Sequence, residues 1–325
     1  MTRGRSGSTL LQSTLDSHPH ICAPNESDFV LHLRTRYAAC TDWNEALIAK
    51  FIRDLYSNRK YRLFWKVDQS VLAQLFTQYK VTSFADACKV VYLSYQSPFP
   101  KKGIHLIVDK NPVHCNYIPV LRSFFPDAQF IHLVRDPRAV VNSVNKSFHK
   151  NNIPRLAKSW VKANNRIESQ KDGSSFITVR YENLVQQPES TLKTILDFVG
   201  EAYDPDMLKS HEVLGKIKSK HANYSLSHHK NIGKEISSSF INKWERELTP
   251  EEIDIIAHFT HEFASRYGYT IPKPNLDLKK QKLIEYQAER KLLRFKRNIY
   301  YKLPFSIRKA ILNLISRFSD KKYKQ

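Results

Sequence analysis

Arg5-Ser6-Gly7-Ser8-Thr9-Leu10-Leu11 is a short turn, carrying one glycine and three hydroxyls, that runs straight into an apolar helical pattern. A tight turn at Gly7 lets successive backbone N–H groups converge. The helix that follows adds its positive N-terminal pole, and Ser6, Ser8 and Thr9 complete the donor set. The stretch reads as an anion cradle for phosphate or sulfate, with an ordinary helix cap built from the same residue types as the alternative. A glycine is present at Gly4, but the G-x-x-x-x-G-K-[ST] spacing of a Walker A loop is absent, and Arg5 stands where no NTPase lysine would. An ATPase is therefore not the first choice.

Further along, Phe130-Ile131-His132-Leu133-Val134 is a short apolar strand, and Arg135-Asp136-Pro137-Arg138 opens a helix running to about Phe148. Asp136 suits the N-cap, Pro137 suits the first helical position, and Val140 and Val144 share a face. Arg135 thus stands at a strand's carboxyl end, where open α/β sheets place ligands, and Ser143 follows eight positions later. Two strand-to-helix anion corners are predicted.

Strand and helix alternate elsewhere as well. A helix over Ser8–Asp16 is followed by helical segments at Asn44–Tyr56 and Val71–Tyr79 and a strand at Ile104–Val108. Helices at Tyr117–Phe125 and Pro154–Lys171, a strand at Phe176–Val179 and a helix at Leu192–Val199 closed by Gly200 continue the pattern. This predicts a parallel sheet with helices on both faces. From Gly200 to Lys234 the chain is His/Lys/Ser-rich and reads as a long loop, after which Thr249-Pro250 caps a final helix. Only Met1 and Thr2 precede Arg3-Gly4, too few for the strand that normally feeds such a cradle, so a preceding strand, and with it any targeting segment, is expected upstream.

The 325 residues carry 52 Lys/Arg against 31 Asp/Glu, a net charge of +21. Residues 276–325 hold fifteen Lys/Arg and four Asp/Glu, so about half of the excess lies there. Pro272 and Pro274 set this extension apart, and Leu283, Tyr286, Leu293 and Ile299 alternate with bases before a second amphipathic run, Ile307–Phe318. Two basic helices are predicted, read as a solvated cap or as a peripheral contact with an acidic membrane surface or polyanion. No nucleic-acid motif accompanies the charge, so no specific nucleic acid is expected. Cys22, Cys40, Cys88 and Cys115 are scattered, which fits free thiols in a reducing, cytoplasmic setting and gives no metal-binding spacing. No apolar run approaches the roughly 18 residues needed to span a bilayer.

With both corners in view, the chain resembles the sulfotransferases that use 3′-phosphoadenosine 5′-phosphosulfate (PAPS), in the branch shared by bacterial enzymes and tyrosylprotein sulfotransferases. Arg5–Leu11, followed by Leu15-Asp16-Ser17-His18-Pro19 and Glu26, looks like that family's 5′-phosphosulfate loop. Arg135 to Ser143 looks like its 3′-phosphate motif. Val108-Asp109-Lys110-Asn111-Pro112 resembles its D-K-x-P segment and Tyr181-Glu182-Asn183-Leu184 its Y-E-x-L segment, all in the family's order. The resemblance covers residues 3 to 270. It implies a P-loop-like three-layer α/β fold with a central parallel sheet and a catalytic domain at residues 1–275, which leaves 276–325 as the basic helical extension read from charge and patterning.

The resemblance also implies roles. Sulfuryl transfer needs a base for the acceptor's hydroxyl proton and positive charge for the departing phosphate. Glu26 matches the base and Lys110 the leaving-group cation. Arg5, Ser6, Gly7, Ser8 and Thr9 would hold the 5′-phosphosulfate, and Arg135 and Ser143 the 3′-phosphate, while Tyr181 and Lys234 match further cofactor contacts. The bland alternatives are a solvent-exposed loop carboxylate, a solvated lysine, a serine bonded to its own helix and a core-edge tyrosine. His18 and His20 are rival bases, although His18 falls on the family's structural H-P. The family carries an arginine beyond Ser143 where this chain has Lys146-Ser147. The acceptor is a hydroxyl of a carbohydrate, peptide tyrosine, lipid or small alcohol, with Phe29, Tyr37, Trp43 and Phe64 as packing or acceptor-contact aromatics. A P-loop kinase, for which Ile104–Asp109 imitates a Walker B strand, and a non-catalytic polyanion binder are the alternatives.

Overall fold

The helix behind the anion loop forms over Ser8–Asp16 (α1), with Gly7 left-handed at its N-cap. This computed structural model describes residues 1–58, 61–65, 67–148, 152–220, 233–274, 299–300, 303–304, 306–308 and 310–311. Among the described residues four strands form, β1 (Ile21–Cys22), β2 (Leu106–Ile107), β3 (Phe130–Val134) and β4 (Phe176–Arg180). Both pairings are parallel: Ile21 faces Leu106 in β1–β2, and β3–β4 runs from Phe130 opposite Phe176 to Val134 opposite Arg180. Thr2 adds a parallel bridge to Leu133, so the residues ahead of the loop lie beside β3. The class is the α/β arrangement read from the sequence, seen among the described residues as two parallel pairs. β2 is shorter than the Ile104–Val108 run suggested.

Parallel strands need apolar cover on both faces. On one side Ile131, Leu133, Ile177 and Val179 pack with Leu11 and Leu15 of α1 and with Leu192, Ile195 and Leu196. On the other, Val134 packs with Val140, Val144, Leu156, Trp160, Ile256 and Phe263. These side chains come from α2 (Pro137–Phe148), α3 (Ile153–Glu168), α5 (Pro188–Val199) and α6 (Pro250–Ser265), while the short α4 (Tyr181–Gln186) follows β4 directly.

Local chemistry sets the helix ends. The Asp136 carboxylate accepts from the Arg138 N–H at 2.8 Å and Pro137 opens α2. Gly200, at φ 79°, closes α5. Thr249 and Glu252 form a reciprocal capping box with Pro250 at the first position of α6.

One expectation is corrected: much of the presumed loop after Gly200 is helical, with a 3-10 turn at Pro205–Lys209 and an α-helix over Ser210–Lys220. Asp204 caps the turn by accepting from the Asp206 N–H at 2.9 Å, and the fully buried Met207 anchors it. Residues 221–232 lie outside the described residues. So does most of the extension for which two basic helices were predicted, including Leu283, Tyr286 and Leu293.

The chain gathers into two units, Met1–Ala23 with Pro98–Lys280, and Pro24–Ser97 with Gln281–Gln325. All four strands belong to the first. The second is built on helices Phe29–Tyr37, Glu45–Leu55, Gln69–Gln78 and Phe84–Leu93 around an aromatic core, in which Phe51 lies 5.0 Å from Tyr37 and 5.4 Å from Trp43 between ring centroids. Phe29, Tyr37 and Trp43 are therefore packing residues, whereas Phe64 is exposed. None of the four cysteines is in a disulfide. Among the described residues no helix is long and apolar enough to cross a membrane.

A buried polar network behind β3 is expected to make the first unit sensitive to acid. His132 is fully buried; its Nε2 meets Asn164 Oδ1 at 2.9 Å and its Nδ1 lies 3.5 Å from Glu168 Oε1. Burial lowers the His132 pKa below its usual value. The adjoining His132 ring, then the hydrogen bonds from Lys171 and Tyr267, bring Glu168 down to about 2. Both folded-state values lie below the unfolded ones, so both groups contribute stability above the unfolded pKa and lose it as pH falls. The loss begins below about 6.5 for the histidine and about 4.5 for the glutamate. Thermal melts are expected to fall in midpoint from pH 7.5 to 4, and His132→Gln to flatten the upper part of that decline. An unchanged slope in the variant would assign the loss to other groups.

Candidate active site

The anion loop is built around two left-handed residues. Arg5 has φ 75° and Gly7 φ 89°. The Arg5 conformation costs about 1–2 kcal/mol for a residue with a Cβ. The Ser6 hydroxyl donates to the Arg3 carbonyl at 2.6 Å and closes the turn from within. Gly7 is required twice over: for its positive φ, and because a Cβ there would run into the ring of Tyr181. No side chain caps α1, so its first-turn N–H groups point from the helix's positive end without a side-chain acceptor.

The second corner meets the first. Arg135, the residue after β3, lays its guanidinium 4.2 Å over the Tyr181 ring, the residue after β4. It donates to the carbonyls of Arg5 at 3.3 Å and Phe240 at 2.8 Å. The buried Arg135 Nε has no hydrogen-bond partner. Arg5 Nε in turn donates to Ser143 Oγ on α2 at 3.0 Å. Lys110, on the turn after β2, reaches Thr9 Oγ1 at 3.3 Å. Burial foremost, and the neighbouring Arg135 charge second, lower the Arg5 pKa. Burial raises that of Tyr181 against the opposing pull of Arg135. The structure thus brings Arg5, Gly7, Thr9, Lys110, Arg135, Ser143 and Tyr181 into one linked cluster. Ser8 opens α1 beside them.

Lys234 and Glu26 complete the sequence-predicted set. Lys234 is exposed and makes no hydrogen bond or ion pair with the described residues. Glu26 belongs to the second unit, on the connection into the helix Phe29–Tyr37. Its neighbours there are held: Trp65 Nε1 donates to the Asn25 carbonyl at 2.8 Å, and Asn58 Nδ2 to Asp28 Oδ1 at 2.8 Å.

His18 is a turn residue. Its Nδ1 accepts from the His20 N–H at 3.2 Å, which leaves the proton on Nε2 to donate to the Ala202 carbonyl at 2.9 Å. His20 stacks on His105 at 4.3 Å. Lys146, where the family carries an arginine nearby, pairs with Glu247 at 2.8 Å.

Three supporting residues carried no role in the sequence reading, although Asp109 and Glu182 lie in motifs quoted there. Asp109 ties the Lys110 turn together by meeting His114 Nδ1 at 3.2 Å and accepting from Asn111 Nδ2 at 3.2 Å. Trp160 Nε1 donates to the Arg135 carbonyl at 3.0 Å. Glu182 Oε1 accepts from the Asp136 N–H at 3.1 Å. The acidic residue after Tyr181 was a visible signal for the last; nothing local pointed to Trp160.

Comparison with known proteins gives this geometry a context. Protein-tyrosine sulfotransferase A of Caenorhabditis elegans is 23% identical over 225 residues, covering 65% of this chain and 52% of its own. The omega-hydroxy-beta-dihydromenaquinone-9 sulfotransferase Stf3 of Mycobacterium tuberculosis is 26% identical over 183 residues, 50% of this chain and 41% of its own. The chain therefore spans about half the length of these two curated relatives. Among solved structures, the sulfotransferase domain of the Synechococcus PCC 7002 olefin synthase has the same fold, with TM-score 0.52, 22% identity and coverage of 83% of this chain and 94% of that one. The model of the sulfotransferase family matches residues 3–205, well over half of the 325, and the chain belongs to that family.

Proposed function

We propose that the chain transfers the sulfuryl group of PAPS to an acceptor hydroxyl by in-line displacement. The observation that carries the reading is the junction of the two corners. A loop rich in N–H donors and an arginine with an orphaned buried Nε are linked through Arg5 and Ser143. Cationic and N–H donors of this kind fit a ligand that is anionic at two places. PAPS supplies a sulfuryl group on a phosphate leaving group. The backbone of Arg5–Thr9, with the Ser8 and Thr9 hydroxyls, would hold the 5′ end. Arg135 and Ser143 would hold the 3′-phosphate, with Tyr181 backing the guanidinium and Lys234 as a further cofactor contact. Lys110 neutralises charge on the bridging oxygen, and Glu26 takes the acceptor's proton.

The named activities of the relatives, on protein tyrosine and on a menaquinone-derived lipid, support a hydroxyl acceptor of peptide or lipid type. Carbohydrates and small alcohols complete the panel to be screened. Residues 1–275 are proposed as the catalytic domain. Residues 276–325 are proposed as a basic extension, with peripheral membrane contact argued from their charge alone.

Calorimetry tests the donor reading. Adenosine 3′,5′-bisphosphate is expected to bind saturably without magnesium, and Arg135→Ala to weaken it by about 1.5–3 kcal/mol, the range for a charge-assisted hydrogen bond. Magnesium-dependent ATP binding in its place would support a kinase, and unchanged affinity in a folded Arg135→Ala would remove Arg135 from the 3′-phosphate site.

A further inference from the structure

Val134 pairs with Arg180 at the last rung of β3–β4, so the two chains leave the sheet at the same level. Arg135 comes out beside Tyr181, and Asp136 beside Glu182. The first pair meets guanidinium to ring. The second meets through the backbone, the Asp136 N–H donating to Glu182 Oε1 at 3.1 Å. Glu182 is buried, and its other oxygen accepts from Tyr269 Oη at 2.6 Å. The Arg180 guanidinium covers the Tyr269 ring at 4.5 Å. The Asp136 side chain is engaged separately, with the Arg138 N–H at 2.8 Å and the Arg138 guanidinium at 2.7 Å.

The Asp136 N–H and the Arg135 carbonyl are the two ends of one peptide unit. Trp160 Nε1 holds the carbonyl at 3.0 Å and Glu182 holds the N–H. A peptide is rigid and planar, so fixing both ends fixes the backbone rotation after Arg135 Cα, and with it the point from which the guanidinium departs. The N–H of a helix's cap residue has no partner in the helix, so without Glu182 this buried donor would be unanswered.

We infer that Glu182 is a positioning residue, a carboxylate that locks the Arg135–Asp136 peptide and so aims the Arg135 guanidinium at a 3′-phosphate without itself touching the ligand. This rests on the role proposed above for Arg135. Two alternatives predict something different. A general stabiliser would loosen the whole nucleotide site, and an electrostatic role would depend on the carboxylate's charge, which Glu182→Gln removes while keeping an acceptor oxygen.

The experiment compares adenosine 3′,5′-bisphosphate with adenosine 5′-phosphate by calorimetry in wild type, Arg135→Ala, Glu182→Ala, Glu182→Gln and Tyr269→Phe. Glu182→Ala is expected to weaken the bisphosphate about tenfold, the scale of one lost buried hydrogen bond. The ligand lacking the 3′-phosphate should change by less than about twofold, and Glu182→Gln should recover most of the loss. In an Arg135→Ala background Glu182→Ala should cost nothing more, because the two act on one contact. Equal losses for both ligands, no rescue by Gln, or full additivity with Arg135→Ala would each overturn the inference. If Glu182→Ala fails to fold, Tyr269→Phe carries the same comparison with a smaller loss, about threefold, confined to the bisphosphate; equal loss of both ligands overturns the inference there too. If Arg135→Ala itself leaves bisphosphate affinity intact, the 3′-phosphate reading of Arg135 fails. If it weakens binding while Glu182→Ala does not, only the positioning role fails.

Discussion

Lys110→Ala is expected to lower turnover by about 10²–10³-fold, the scale seen when one preorganised stabiliser of developing charge is removed. The ammonium comes off the turn after β2 and reaches Thr9 Oγ1 at 3.3 Å, within the donor set of the anion loop. Its turn is tied by Asp109 to Asn111 and His114, so the lysine starts from a fixed base. Under the proposed chemistry, charge on the bridging oxygen grows as the S–O bond breaks, so an ammonium placed there does most in the transition state. The loss should therefore appear in the single-turnover rate at saturating donor and acceptor, with a much smaller change in bisphosphate affinity. Lys110→Arg keeps the charge on a wider planar head and should recover part of the rate. A Lys110→Ala enzyme within about threefold of wild type, with chemistry rate-limiting, would remove Lys110 from the leaving-group role.

The parts of the fold legible in the sequence were those whose cause is local. Asp136 before Pro137, Gly200 after an i/i+4 run and Thr249-Pro250 three residues before Glu252 each specify a helix end through their own side chains, and each forms. The strand at Phe130–Val134 and the helix at Ser8–Asp16 were likewise readable from periodicity and flanking residues. The helix Ser210–Lys220 was obscured because the His/Lys/Ser-rich composition beyond Gly200 was read as one loop, whereas a buried Met207 and the Asp204 cap lead the chain into it.

At the site the division is the same. Arg5, Thr9, Arg135 and Ser143 were singled out from the two loop-to-helix corners and the family resemblance, and the structure brings them together. How they are held was not legible. The meeting of Gly7 with the Tyr181 ring joins residues far apart in the chain, and the clasp of Asp136 by Glu182 depends on the parallel β3–β4 register. Conformation adds a further gap: nothing in the local sequence marks Arg5 as left-handed, a geometry carried by the closure of the loop around it.

Glu26→Gln should separate chemistry from binding most sharply, because Glu26 is assigned to the acceptor's proton and Arg5 and Arg135 to the donor. The variant preserves size but replaces the carboxylate with an amide that is a very poor base, and a turnover loss of about 10²–10⁴-fold is the usual scale for that change. The surroundings favour a clean result. Asn25 is held by Trp65 and Asp28 by Asn58, so one side chain is exchanged between neighbours whose positions are fixed by other contacts. Bisphosphate affinity should stay near wild type, so that the loss falls on turnover alone. Near-wild-type turnover, with transfer chemistry shown to be rate-limiting, would place the base elsewhere. His18 would then be a poor successor, since its Nδ1 already accepts the His20 N–H and its Nε2 already donates to Ala202. His20, half-buried and stacked on His105, would be the residue to mutate next.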